Sequence, residues 1–373
     1  SSASAAAAAA AAALAAGAAD GPTNDEAPGA DGRRSYINLP AHHSAIIQQW
    51  VLDAGSGSIL GHVNGGFLPN PVAAHSGSEF ALASTSFSRI AKGKRTDYVE
   101  VFDPVTFLPI ADIELPDAPR FDVGPYSWMN ANTPNNADLL FFQFAAGPAV
   151  GLVVQGGSSD DQLLSSPTCY HIHPGAPSTF YLLCAQGGLA KTDHAGGAAG
   201  AGLVGAMLTA AQNLLTQPAQ ANKSGRIVWP VYSGKILQAD ISAAGATNKA
   251  PIDALSGGRK ADTWRPGGWQ QVAYLKSSDG IYLLTSEQSA WKLHAAAKEV
   301  TSVTGLVGQT SSQISLGHDV DAISVAQDGG PDLYALSAGT EVLHIYDAGA
   351  GDQDQSTVEL GSGPQVLSVM NEA

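Results

Sequence analysis

Charge is what this chain has least of. Asp, Glu, Lys and Arg together make up 14% of its 373 residues, where about 25% is usual. Basic residues are the scarcer kind, 18 against 33 acidic, for a formal charge of −15. Nucleic acid is therefore not an expected partner, because a phosphate backbone is gripped by clusters of Lys and Arg. The longest basic run, Lys92-Gly93-Lys94-Arg95, is too short to reverse that. Long apolar runs are missing too, so no helix is expected to insert into a membrane. Ser1 to Ala19 has neither a basic start nor a Leu-rich stretch, so it does not read as a signal peptide, and the chain reads as mature. Only two cysteines occur, too few for a thiolate zinc site.

Small and turn-forming residues are plentiful: 42 Gly and 21 Pro. The glycines follow no period of three, which excludes collagen, and their spread through the chain excludes a coiled coil. With 44% hydrophobic residues, the chain has enough apolar surface to fold. Residues 1–32 stand apart. An Ala run there is followed by Gly21, Pro22, Pro28, Gly29 and Gly32, which break any helix. That segment reads as an extended N-terminal arm, and residues 33–373 as the main domain.

In the main domain short apolar runs end at Gly, Pro, Asn or Asp, the signature of strands. Ala45 to Asp53, Tyr98 to Asp103, Ala149 to Gln155, Gly234 to Asp240 and Val342 to Asp347 are the clearest. Weaker copies fall near Lys191-Thr192-Asp193 and between Trp291 and Val300. Several end in Asp, which caps a turn by accepting backbone N–H bonds. From Asp53 to Asp347 the copies recur at about 49 residues, within the range of propeller blades. Paired strands precede the runs, for example Phe80 to Ser84, Leu139 to Phe144, Ile281 to Thr285 and Leu333 to Ser337. The expected fold is thus all-β, a seven-bladed β-propeller. Its first blade combines Arg34 to Leu39 with the C-terminal run Gly363 to Val369, which closes the ring and removes exposed sheet edges. A long helix is improbable except over Ala198 to Leu215, whose apolar spacing is loosely helical.

Cys169 and Cys184 lie in strand-like runs on either side of the turn His173 to Ser178. Two readings are open: a cross-strand disulfide in an oxidising compartment, or two buried thiols in a reduced one. The even number and hairpin placement favour the disulfide. His171 and His173 are two apart on one strand, so they share a face and could begin a metal site, but no further ligands are identifiable. Glu114, Asp117 and Asp122 near Arg120 suit solvated loop charges better than an acid/base group. No nucleophile elbow or phosphate loop appears. Asp262 to Tyr274, with Trp264, Arg265 and Trp269 around Pro266-Gly267-Gly268, reads equally as a packed blade corner or as a contact surface. Phe67 sits on a loop stiffened by Gly65-Gly66 and Pro69 to Pro71, suited to a binding face.

These motifs carry a resemblance. Gly65 to Val72, Arg95 to Val105, Leu115 to Phe121, Cys169 to Ile172, Gly225 to Pro230, Trp264 to Tyr274 and Gly363 to Val366 are similar to the heavy subunit of bacterial methylamine dehydrogenase, from about residue 45 onward. The match weakens over residues 193–215 and 287–310. The resemblance implies a periplasmic tetramer of two heavy and two light subunits. The light subunit carries tryptophan tryptophylquinone, built from its own tryptophans, so no cofactor, no metal and no catalytic residue is expected in this chain. The quinone oxidises a primary amine, releasing aldehyde, and electrons pass to the copper protein amicyanin. Phe67 matches a residue lining the substrate channel. The alternatives are a self-sufficient propeller enzyme, such as a lactonase-like hydrolase, and a protein-binding propeller.

Overall fold

A computed structural model describes residues 34–39, 48–53, 56–64, 67–74, 80–89, 92–103, 105–114, 130–133, 136–142, 149–150, 153–155, 158–160, 164–165, 169–176, 179–184, 187–193, 203–206, 225–231, 233–242, 244–254, 265–286, 297–304, 310–326, 332–347, 353–360 and 369–371. The chain divides into two units, Ser1–Asp31 and Gly32–Ala373. The first lies outside the described residues, as does the expected arm.

All named elements are strands. β1 (Arg34–Leu39), β2 (Gln48–Asp53) and β3 (Ser58–Asn64) begin the first sheet. The second sheet is β4 (Phe67–Ala74), β5 (Phe80–Arg89), β6 (Lys92–Phe102) and β7 (Pro109–Glu114). Next come β8 (Asn130–Thr133) and β9 (Asn136–Phe142), a two-stranded pair. β10 (Ala149–Val150), β11 (Val153–Gln155), β12 (Ser158–Asp160) and β13 (Leu164–Ser165) form two nested pairs of one hairpin. Four strands then make a sheet: β14 (Cys169–Ala176), β15 (Thr179–Cys184), β16 (Gly188–Asp193) and β17 (Leu203–Ala206). Another has β18 (Arg226–Val231) and β19 (Lys235–Ile241), with β20 (Ala246–Asn248) and β21 (Ile252–Asp253) both pairing β19. β22 (Arg265–Pro266), β23 (Val272–Leu275), β24 (Gly280–Ser286), β25 (Ala297–Thr304) and β26 (Thr310–Val320) follow. The last sheet is β27 (Ala322–Val325), β28 (Asp332–Ser337), β29 (Val342–Asp347) and β30 (Gln353–Glu359), and β31 (Val369–Asn371) ends the chain.

Most strands pair antiparallel with their neighbours in the chain, as the short turns dictate, while β21 returns to β19, β22 pairs β24, and β10 pairs β13 around β11 and β12. β31 comes from the far end of the chain. It pairs with β1, Ile37 opposite Val369, so one sheet draws strands from both ends of the main unit. One strand from each of several successive sheets stands beside the next: β31 against β4, β4 against β8, β8 against β14, β23 against β27, and β27 against β31. This is the arrangement of a β-propeller.

Burial follows the strands. β15 and β24 are buried along their whole length, and β24 is covered on both faces, Tyr282 and Leu284 packing with the last sheet and Ile281 and Leu283 with the β18–β21 sheet. Apolar clusters fill the space between neighbouring sheets. Leu52, Tyr334, Leu343 and Val358 join the first sheet to the last. Tyr181, Leu189, Trp229 and Leu237 join the β14–β17 sheet to β18–β21. Trp229 is fully buried, the largest side chain of the described core. Asp103 caps its turn as its sequence context suggests. Its Oδ1 accepts from Val105 N (2.9 Å), Thr106 N (2.7 Å) and Thr106 Oγ1 (3.0 Å). Burial raises its pKa, but these bonds prevail and hold it below the usual value.

Two expectations are corrected. Within Ala198 to Leu215, Leu203–Ala206 is a strand and not helix, because it pairs with the edge of β16. Asp240, read as a turn cap, is instead an ion-pair partner of Arg226 and Lys249.

Candidate functional site

Phe67 opens β4, and its position is set by the strand's two prolines. Pro69 and Pro71 have no N–H for the ladder, and the register with β5 shifts twice, between Phe67 and Asn70 and between Asn70 and Ala73. Phe67 stands opposite Thr85 on β5, and Thr85 stands opposite Asp97 on β6. Thr85 and Asp97 are both buried. The Thr85 hydroxyl donates to Asp97 Oδ1 at 2.5 Å, and Arg95 Nε donates to the same oxygen at 2.9 Å. A buried carboxylate without such partners would be costly. Here the three residues fasten β5 to β6 beside the start of β4. Gly65 and Gly66 lie outside the described residues.

The two cysteines lie on adjacent strands. β14 and β15 put Cys169 directly opposite Cys184, and Cys184 is disulfide-bonded. The strand carrying the two histidines is not regular. The register steps from Tyr170–Leu183 to Ile172–Leu182, so His171 is the extra residue of a β-bulge. A bulge breaks the period of two, and His171 and His173 need not share a face. His173 is buried, its ring edge-on to Trp229 with centroids 6.1 Å apart. Among the described residues no group of three His, Cys, Asp or Glu is placed to hold a metal. Glu114 is exposed at the end of β7, while Asp117, Arg120 and Asp122 lie outside the described residues.

The described part of the Trp-rich segment is a packed corner. Trp269 N and Gln270 N both donate to the carbonyl of Asp321, and Ile323 N donates to Gln270 O. Gln270 bridges Ala322 in parallel, tying β22–β23 to the next sheet. Gly268 has φ of +70°, and a Cβ there would collide with the Asp321 carbonyl, so the turn requires glycine. Burial raises the pKa of the Asp321 carboxyl, which accepts from Ala338 N at 2.9 Å. Trp264 lies outside the described residues.

A polar cluster that sequence reading missed joins two sheets. Arg226 Nη1 lies 2.5 Å and 2.6 Å from the oxygens of Asp279, and its Nε lies 2.8 Å from Asp240 Oδ1. Tyr274 donates to Asp279 Oδ1 at 2.8 Å. Arg226 and Asp279 are 53 residues apart, so no spacing could have announced them.

Together these features define a propeller whose described polar clusters join strands and sheets. Solved structures agree on the fold. A Myceliophteria thermophila Cps50 (Swd1) beta-propeller domain is similar at a TM-score of 0.58, with 10% identity, over 84% of this chain and 97% of that one. Saccharomyces cerevisiae Sqt1 is similar at 0.53, with 10% identity, over 89% and 86%. The sequence is similar to a methylamine dehydrogenase heavy chain from Paracoccus versutus, 56% identical over 94% of this chain and 83% of the relative. A heavy chain from Methylorubrum extorquens is 45% identical over 94% and 86%. The model of the methylamine dehydrogenase heavy chain family matches residues 31–371. The chain belongs to that family, and is an amine dehydrogenase subunit.

Proposed function

We propose that this chain is the heavy, cofactor-free subunit of a periplasmic enzyme that oxidises methylamine to formaldehyde and ammonia and passes the electrons to amicyanin. The family match over residues 31–371, which spans the whole propeller, carries this reading. The light subunit supplies tryptophan tryptophylquinone, the group that accepts the amine's electrons. Two heavy and two light chains form the assembly. This chain holds the light subunit in place and walls part of the approach to it, with Phe67 in the wall. The propeller has seven blades. β8 to β13 form one of them, since β11 lies against β9 and β10–β13 continues the same hairpin.

The test is activity by parts. The purified heavy chain alone reduces no dye with methylamine, and adding the light subunit restores amine-dependent reduction. Turnover by the isolated chain would overturn the reading in favour of a self-sufficient propeller enzyme.

The oxidising compartment has its own test. Cys169 is the partner we assign to Cys184, across a loop whose closure contributes about 3 kcal/mol in the chain-entropy account. Peptide mapping without reductant should yield one cross-linked pair. Two free thiols would remove both the bond and the main physical support for a periplasmic location.

A further inference from the structure

The last two sheets meet across a stack of side chains that acid can charge. His318 lies near the end of β26 and His344 within β29, both half-buried. Their rings stack with centroids 3.7 Å apart and an interplanar angle of 21°. The ring of Tyr346, which is buried, is nearly parallel to both, its centroid 6.4 Å from His318 and 6.3 Å from His344. The Tyr346 hydroxyl lies 3.4 Å from His318 Nε2. Imidazoles so nearly parallel aim their nitrogens alongside one another and not at a common point, so the pair is not arranged to chelate a metal.

The stack belongs to a seam. β26 runs into β27 through Gly317 to Asp321, and Gly317 takes φ of +71°. The Ser337 hydroxyl donates to the Asp319 carbonyl, Asp321 N donates to Leu336 O at 2.8 Å, and Ala338 N donates to Asp321 Oδ2 at 2.9 Å. Val320, Leu333, Ala335 and Tyr346 share one apolar cluster there. On β28, Ala335 stands opposite His344 and Leu333 opposite Tyr346. On β30, Thr357 stands opposite His344, Asp354 opposite Tyr346, and the exposed Glu359 opposite Val342. On β25, Glu299 stands opposite Ser315 and Ala297 opposite Val320, with Lys298 between them. Asp319, next to His318, is exposed. Carboxylates in these places attract a proton to the stack, but a second proton still meets the first at ring contact.

We propose that His318 and His344 form an acid-operated latch between the last two sheets: the stack holds at neutral pH, tolerates one proton, and releases Gly317 to Asp321 when a second arrives. Two charges at the ring separation repel, and burial of the seam keeps water from screening them fully. In an unfolded chain each imidazole takes its own proton near pH 6.5. Below that pH the unfolded chain therefore binds one proton more than the latched fold. The latch's stability is complete above that pH and is lost as pH falls below it. Asp321 acts with the opposite sign. Burial, with the Asp319 charge adding to it, raises its pKa, so its protonation favours the fold as pH falls.

The experiment uses the full chain. Denaturant titrations run from about pH 7.5 to about pH 5, either side of histidine's usual range. The wild-type unfolding constant should rise by up to about tenfold per pH unit, the effect of one proton. His344→Phe keeps a flat ring in the stack that cannot take a proton, and its slope should be shallower by that amount. His62→Phe, at an exposed position on β3, should keep the wild-type slope. Hydrogen exchange, corrected for the intrinsic rate at each pH, should show residues 316–323 losing protection in acid in wild type and keeping it in His344→Phe. A flat wild-type profile overturns the proposal. So does an equal slope in His344→Phe, even with lowered stability at every pH, because that is a packing role alone. If His344→Phe does not fold, wild-type exchange decides: protection of residues 316–323 that is the same at both pH values overturns the latch.

Discussion

Phe67→Ala is expected to shift relative kcat/KM from methylamine toward longer or aromatic amines by about 10- to 200-fold, the range that one apolar wall can supply. The expectation follows from the proposed place of Phe67 at the approach to the light subunit. Phe67 is the first residue of β4, on a stretch stiffened by Pro69 and Pro71 and braced through Thr85. Such a backbone cannot readily collapse to refill the volume the ring leaves, so lost bulk becomes widened access. Cofactor content should not change, because the quinone belongs to the other subunit. A core-packing role predicts something different: a stability loss of about 3–5 kcal/mol with the amine preference intact. Steady-state kinetics over a series of amine lengths, set beside a melting curve, separates the two. An unchanged preference with a lowered melting point rules out the channel role.

The parts legible in the sequence were those governed by local physics. Val342–Asp347 is a strand as its alternation suggests, and Asp103 caps its turn because its carboxylate meets the next free N–H groups. Long-range outcomes were not legible. Asp240 closes its run in the sequence just as Asp103 does, yet it lies inside β19, where the hairpin sets it opposite Arg226 and it serves an ion pair instead. The bulge at His171 has no side-chain signature, so alternation gave His171 and His173 a shared face that a bulged strand need not keep. Of the two readings of the Trp264 to Tyr274 segment, only its hydrogen bonds to Asp321 favour the packed corner. The closing strand was expected at Gly363 to Val369, but the strand that pairs with β1 is Val369–Asn371, and residues 361–368 lie outside the described residues. The role of Phe67 comes from family resemblance and not from composition or spacing.

Arg226→Met should be the most destabilising single change among the polar positions described. The guanidinium and the Asp279 carboxylate are only 16% and 15% exposed, and they tie the β18–β19 hairpin to the turn before β24. Burial draws the Arg226 pKa down, but its bonds to Asp240 and Asp279 outweigh that and raise it. Removing the Arg leaves Asp279 partly buried with the Tyr274 hydroxyl as its remaining partner at the site. Breaking a buried pair costs about 3–5 kcal/mol. Partial solvation here brings the expected loss to about 2–4 kcal/mol. Asp279→Asn tests charge with little change of shape, because Asn tolerates the positive φ of 54° at this position. It should cost less, since Arg226 keeps Asp240. The Lys249–Asp240 contact is more exposed, at 44% and 39%, and its loss should hardly register.

The pH dependence carries a second signature of the same cluster. Burial raises the Asp240 pKa, but Arg226 and Lys249 prevail and lower it. Its contribution is therefore complete above the unfolded value of about 3.9 and is lost as pH falls through the lower folded value. Burial first, and then Asp279, raise the Tyr274 pKa. A raised phenol stabilises the fold below the unfolded value of about 10, and that stability is lost as pH rises from there through the folded value. Thermal melts between acid and alkaline pH should show both limbs in wild type. Arg226→Met should flatten the acid limb, and Tyr274→Phe the alkaline one. A wild-type acid limb preserved in Arg226→Met would mean that Arg226 does not hold Asp240 in its charged form.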